Sequence, residues 1–223
     1  MDYFEMWKPL DTFLVLYKRD DHISYLAACI SEVVLVVAFS VLCLTLIKRD
    51  LHTILYAFGM LTNECICKVM KKLIKAPRPP THPSLFVSSH GMPSNHAQFM
   101  FFMTAYFALF VIYRLSSRYY SSAFRLLTPI FMFVSSTIVC YARIYLEFHY
   151  VSQVLIGALV GIIFGSFWFF LVHVICTPWF PWIVNSKIGK LFMLQDFTNV
   201  PNVFIVEYNT MRQYNQNPNN ERK

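Results

Sequence analysis

The chain has 223 residues, of which 57% are hydrophobic and 14% charged, with a formal net charge of +7. A soluble domain carries about 25% charged residues, and here the charges cluster at the ends of long apolar runs, which excludes an ordinary soluble globule. The basic excess at those ends suits anchoring at a membrane surface or binding of anionic lipid headgroups, and no nucleic-acid partner is expected.

In chain order, Met1 to Asp21 holds five acids and no basic-then-apolar order, so a cleavable signal peptide is not expected. Residues 1–22 are read as an interfacial N-terminal segment, with Leu10–Tyr17 as a short amphipathic piece. Five apolar spans follow: Ile23–Ile47, His52–Ile74, Asn95–Tyr113, Phe124–Tyr145 and Tyr150–Ile175. Seventeen helical residues cover roughly 26 Å, close to the hydrocarbon thickness of a bilayer. The expected fold class is all-α: a polytopic transmembrane helical bundle of about five spans, occupying residues 23–186. Residues 187–223 are read as a C-terminal tail on the cytosolic side, disordered from Gln213 onward.

Several residues within the spans have a structural reading. Gly157, Gly161 and Gly165 recur every four residues, so they share a helix face on which a neighbour packs closely. Glu32 and Glu64 are costly in lipid and should face the interior, either paired with a residue such as Lys68 or taking part in chemistry. The six cysteines fall mostly inside apolar segments and read as packing residues, not as a disulfide framework. The aromatics Phe99, Phe101, Phe102, Tyr106 and Phe107 read as core or lipid-facing residues, with a groove for an apolar chain as the alternative.

Five spans have two sets of ends, and the connections after the second and fourth lie on one side. Three polar groups collect there: Lys71 to Pro79, Gly91 to His96, and Arg143 to His149. The loop Lys75–Pro93, which overlaps the first two groups, contains Pro77, Pro79, Pro80, Pro83 and Pro93, which make it irregular but stiff. From Lys71 to His96 there are four Lys or Arg and three His but no carboxylate. Cations near a low-dielectric boundary need a counter-charge, and an anion from outside is the economical candidate. Arginine offers phosphate a planar fork and lysine a point charge. Ser94 and Asn95 stand where they would cap the third span and turn its free N–H groups toward the same spot. Magnesium would need acidic ligands, which the loop lacks. A zinc site from His82, His90, His96 and His149 is the competing reading. A metal-free route needs a nucleophile and a proton donor, and His96 with His149 supplies both.

The three groups have the form K-x6-R-P, P-S-x-H and R-x5-H, a pattern that resembles the phosphatidic acid phosphatase and vanadium haloperoxidase superfamily. Gly91 to Met100, Lys48 to Ile54, Ser152-Gln153 and Ile205 to Tyr208 further resemble the dolichyldiphosphatases, and the similarity covers roughly residues 25–210. The resemblance implies hydrolysis of dolichyl diphosphate to dolichyl phosphate with no cofactor and no metal. It also implies a site on the lumenal face of the endoplasmic reticulum and a role in recycling the lipid carrier of N-glycosylation. By the family pattern His149 attacks phosphorus and His96 protonates the leaving oxygen. Lys71, Arg78, Ser94, Arg143 and the amide of Asn95 hold the phosphoryl oxygens.

Two positions depart from the broad pattern: Asn95 stands where Gly is usual, and Gln153 where an Asp is usual. Residues 149 and 153 share a helix face, so the Gln153 carbonyl is a candidate acceptor for the His149 ring. Glu147 is the candidate source of the missing negative charge. Placing the motif end in the lumen leaves ten Lys and Arg on the opposite side, against six once Lys71, Arg78 and Arg143 are set aside as site residues. Membrane lipids and the polyprenyl substrate are the expected partners. The competing functions are a phosphatase for another lipid phosphate or prenyl diphosphate, and a non-catalytic lipid transporter or scramblase.

Overall fold

The computed structural model describes residues 7–10, 13–80, 90–115, 119–200 and 202–216. A short antiparallel hairpin, β1 (Trp7–Leu10) and β2 (Phe13–Lys18), opens the chain with Trp7 opposite Lys18. Most of the Leu10–Tyr17 piece falls in this hairpin, the strand exception in a chain that is otherwise helical among the described residues.

The first span is two helices, α1 (His22–Ser31) and α2 (Val33–Lys48), joined at Glu32. Asp21 starts α1 by accepting from the N–H groups of Ile23 and Ser24. Arg49 then adopts a left-handed conformation at φ 49°, and Asp50 caps α3 (Leu51–Ile74) by accepting from Thr53. The remaining long helices are α4 (Asn95–Tyr113), α5 (Ser122–Tyr145) and α6 (Val151–Phe170). The sixth helix runs on through a π turn and a 3-10 turn into α7 (Phe180–Asn185), and α8 (Lys187–Leu191) follows. The helix α9 (Val203–Gln216) contains Gln213–Gln216, which corrects the expectation of disorder from Gln213; Lys48 pairs with Glu207 on it. Residues 217–223 lie outside the described residues.

Four helical stretches are both long and apolar enough to cross a membrane: His22–Lys48, Asn95–Tyr113, Ser122–Tyr145 and Val151–Asn185. The helix α3, expected as the second of five spans, is as long as α5, at 24 residues, but carries Glu64, Lys68, Lys71 and Lys72 toward one end and is not among the stretches apolar enough to cross. The chain is a multi-pass membrane protein.

At the centre stands α4, the most enclosed of the four stretches. Phe102 is fully buried, and Phe99, Met100, Phe101 and Tyr106 are nearly so, which makes the aromatic run of this span core. The glycine face of α6 explains the closest packing. A Cβ on Gly157, Gly161 or Gly165 would collide with the backbone carbonyls of Ser94, Gln98 and Phe102 in turn. Polar side chains join the other neighbours. Gln98 Nε2 donates to Asn63 Oδ1 at 3.0 Å between α4 and α3, and Trp168 Nε1 donates to Leu55 O at 3.0 Å between α6 and α3. Thr104 and Ser136 share a hydrogen bond of 2.7 Å between α4 and α5. In an apolar medium such bonds cannot exchange with water, so they fix which helix faces which. The outer faces, for example Phe39, Ile47 and Phe131, remain exposed and apolar, as a lipid-facing surface requires.

Candidate active site

The three motif groups meet at one end of the bundle. Lys75 ends α3 in a left-handed turn, and the chain returns to the same place when Gly91 N–H donates to Ala76 O at 2.8 Å. The start of α4 is then bound to the start of α6, because Ser94 N–H donates to Gln153 O at 3.0 Å. The helix α5 ends in a Schellman turn: Glu147 N–H reaches Ile144 O at 2.9 Å and Phe148 N–H reaches Arg143 O at 3.1 Å. Glu147 occupies the left-handed position of that turn at φ 60°, where Gly is the usual residue.

His149 is 3% exposed, and its Nδ1 lies 3.1 Å from Gln153 Oε1, which leaves Nε2 as the ring atom for chemistry. The acceptor expected from the spacing is therefore in place. Burial first, and then the charges of Arg143 and Arg78, push the imidazole down to about 2, against the opposing pull of the Gln153 bond. The ring is thus neutral near pH 7, the protonation state a nucleophile needs.

Arg143, 5% exposed, lies with its guanidinium carbon 3.9 Å from the centre of the Phe148 ring. Its Nε and Nη1 atoms are buried without a hydrogen-bond partner among the described residues. Arg78 Nη1 donates to Phe148 O at 3.0 Å, and Lys71 Nζ to His90 O at 3.4 Å. His96, at the start of α4, is close enough to His149 and to the charges of Arg143, Lys71 and Arg78 to interact with each. The structure therefore brings Lys71, Arg78, His96, Arg143, His149 and Gln153 together.

Two expectations change. Ser94 occupies the N-cap position of α4, but its hydroxyl makes no capping bond; Ser94 Oγ and Asn95 Oδ1 are both buried and unpaired among the described residues. Their side chains are not spent on the helix end, which leaves its amides open. Glu147 does not supply charge to His149: its carboxylate pairs with Lys18 at 2.6 Å. Glu64 pairs with Lys68 at 3.3 Å, whereas the buried Glu32 stands within electrostatic reach of Arg143. His82 lies outside the described residues, and those described contain no group of three or more His, Cys, Asp or Glu arranged to hold a metal ion.

Some supporting groups had no signal in the sequence. The Pro77 carbonyl accepts from Gln153 Nε2 at 2.7 Å, and the Phe148 ring and carbonyl position two arginines. Neither a carbonyl nor a ring between two motif residues announces itself by spacing. Lys18 is 129 residues from its partner.

Comparison with known proteins places this geometry. The model of the PAP2 superfamily matches residues 52–175, more than half the chain. A dolichyldiphosphatase 1 from Dictyostelium discoideum is 35% identical over 195 residues, covering 87% of this chain and 85% of that protein. A dolichyldiphosphatase from Saccharomyces cerevisiae is 34% identical over 204 residues, covering 86% and 82%. Among solved structures, a transmembrane PAP2 type phosphatidylglycerolphosphate phosphatase from Bacillus subtilis shares the fold. Its TM-score is 0.56 at 23% identity, over 69% of this chain and 76% of that one. With the three motifs converged at one end of a helical bundle and relatives alike along most of its length, the chain belongs to the PAP2 superfamily and is a lipid phosphatase.

Proposed function

We propose that this phosphatase hydrolyses dolichyl diphosphate to dolichyl phosphate and inorganic phosphate through a phosphohistidine, without a metal. The observation that carries the reading is the pairing of an oriented, neutral His149 with the buried and unpaired Nε and Nη1 donors of Arg143. Buried donors without partners are costly, about 1–3 kcal/mol each, and a phosphoryl oxygen satisfies them.

In this reading Lys71, Arg78, Arg143, the Ser94 hydroxyl and the Asn95 amide grip the terminal phosphoryl group. The Nε2 lone pair of His149 attacks its phosphorus while Nδ1–H donates to Gln153. The bond to the bridging oxygen breaks, and His96, which enters the step as the imidazolium once the negative diphosphate is bound beside it, delivers a proton to that oxygen as dolichyl phosphate leaves. A water molecule then attacks the phosphohistidine, His96 takes the water proton, and phosphate departs with His149 restored. The cradle stabilises charge that grows on the phosphoryl oxygens in both steps. The substrate class follows from the relatives' names, which specify dolichyldiphosphatase. An endoplasmic reticulum membrane, a lumenal site and recycling of the N-glycosylation carrier belong to the same proposal.

The test is phosphate release by purified protein in lipid vesicles, with EDTA present, from dolichyl diphosphate and from a monophosphate lipid. Release should be greatest from the diphosphate and abolished in His149→Ala and His96→Ala, with label from terminally labelled substrate trapped on His149. A preference for the monophosphate lipid sinks the substrate assignment, and loss of activity in EDTA sinks the metal-free mechanism. Cysteine labelling of positions 78 and 187 from each side of sealed microsomes tests the sidedness.

A further inference from the structure

The turn that carries Arg143 and His149 is held by a part of the chain outside the matched residues 52–175. The strand β2 ends at Lys18, whose Nζ lies 2.6 Å from Glu147 Oε1 and 5.6 Å from the centre of the Trp7 ring. Three residues on, Asp21 accepts from the Tyr145 hydroxyl at 3.0 Å. Val15 and Tyr17 of the same strand pack on a buried cluster of Ala27, Ala28, Ala142, Leu146 and Phe148. The hairpin and Asp21 just after it thus hold the end of α5 and the turn that follows through an ion pair, a hydrogen bond and an apolar contact.

What this turn controls lies next in the chain. Glu147 stands in the left-handed position of the Schellman turn without the freedom of a glycine. Its conformation sets the direction of Phe148. The Phe148 ring carries the Arg143 guanidinium, and the Phe148 carbonyl holds Arg78 Nη1. A shift of the turn would move both guanidiniums together, and His149 with them.

We infer that Lys18 is a positioning residue for the phosphatase reaction, a latch that holds Glu147 and through Phe148 aligns Arg78 and Arg143 on the phosphoryl group. This rests on the reading of Arg78, Arg143 and His149 as the phosphate site. The N-terminal hairpin is then a working part of the active site. Lys18 stabilises a backbone conformation that acids rarely adopt, and it reaches Arg78 and Arg143 only by way of Glu147 and Phe148. Its effect on catalysis is therefore one of alignment, which a Lys-to-Arg change keeps.

The experiment uses the full-length protein in vesicles, with Lys18→Met, Lys18→Arg, Lys18→Glu, Glu147→Lys and the K18E/E147K double variant. Arg143→Ala serves as the reference for the site itself. Turnover of dolichyl diphosphate, inhibition by orthovanadate and thermal midpoint are measured on each. Lys18→Met should lower kcat about tenfold and weaken orthovanadate by a similar factor, while Lys18→Arg stays within about twofold of wild type. The double variant should recover most of what either reversal loses. Wild-type turnover in Lys18→Met beside an inactive Arg143→Ala overturns the latch and leaves the site standing, whereas an active Arg143→Ala overturns the site reading itself. A loss in Lys18→Met that neither Lys18→Arg nor the double variant recovers, with the thermal midpoint falling in step, makes Lys18 a folding residue and also overturns the latch.

Discussion

Gln153 and Pro77 are 76 positions apart, yet the Gln153 amide nitrogen donates to the Pro77 carbonyl at 2.7 Å. The other end of the same amide faces His149, and the Gln153 backbone carbonyl receives the N–H of Ser94. One residue thereby joins the lysine-arginine group, the serine-histidine group and the segment that carries His149. An aspartate, the usual residue at this position in the wider superfamily, has a shorter side chain and no donor, so it cannot make the Pro77 bond. Where that pattern places a charge behind the histidine, this chain places a strut.

Gln153→Glu tests the strut. The carboxylate keeps an acceptor for His149 but sets an oxygen against the Pro77 carbonyl inside a nearly closed site. Turnover should fall about tenfold or more, and the protein should lose about 1–3 kcal/mol of stability. Vesicle assays and thermal midpoints read the two effects; unchanged turnover would show that the Pro77 bond is dispensable.

Gly91→Ala and Gly161→Ala separate chemistry from packing. A Cβ on Gly91 would sit 2.5 Å from Gln153 Oε1 and 2.6 Å from Nε2, so that substitution pushes on the strut. On Gly161 it would collide with the Gln98 backbone carbonyl, well inside the bundle. Gly161→Ala should lower stability by roughly 1–3 kcal/mol with turnover per folded molecule preserved. Gly91→Ala should reduce kcat by a larger factor than any stability loss explains.

The folded protein holds His149 at about 2, whereas in the unfolded chain it titrates near its ordinary 6.5. Below pH 6.5 the unfolded chain binds a proton that the folded one refuses, so stability must fall as pH drops through this window. For this single group the slope is at most about 1.4 kcal/mol per pH unit. His149→Gln removes the slope: its thermal midpoint should drop less than wild type between pH 7 and pH 5. Equal drops would mean that His149 titrates normally in the fold.

Glu32 is buried within electrostatic reach of Arg143, and in its ionised form it would offset the positive potential at the proposed phosphate site. Glu32→Gln should strengthen product inhibition by inorganic phosphate about fivefold, roughly 1 kcal/mol of charge interaction. An inhibition constant that rises or stays level would remove Glu32 from the site's electrostatics.

Much of this molecule is legible along the chain. Spans are local: an apolar run of bilayer length with charges only at its ends declares itself, and the Asn95–Tyr113 span has the same bounds in sequence and structure. The glycine face of α6 is also local, since a four-residue period on a helix places its members in line. The order of the motifs at alternate span ends was enough to put them on one side. Ser94 shows the limit: its N-cap position was readable, but the orientation of its hydroxyl was not.

The residues thus name the parts by type and period, through rules that act within a few turns of chain: a membrane bundle, a cationic end, two imidazoles. Three-dimensional packing alone decides what stands behind each part, that Gln153 reaches Pro77, that Phe148 carries Arg143 and that Lys18 holds Glu147. Those partners are 76, 5 and 129 positions apart, and no periodicity reports them. Such pairs arise only when helices dock and buried polar groups must find the nearest acceptor or counter-charge in a medium that offers no water.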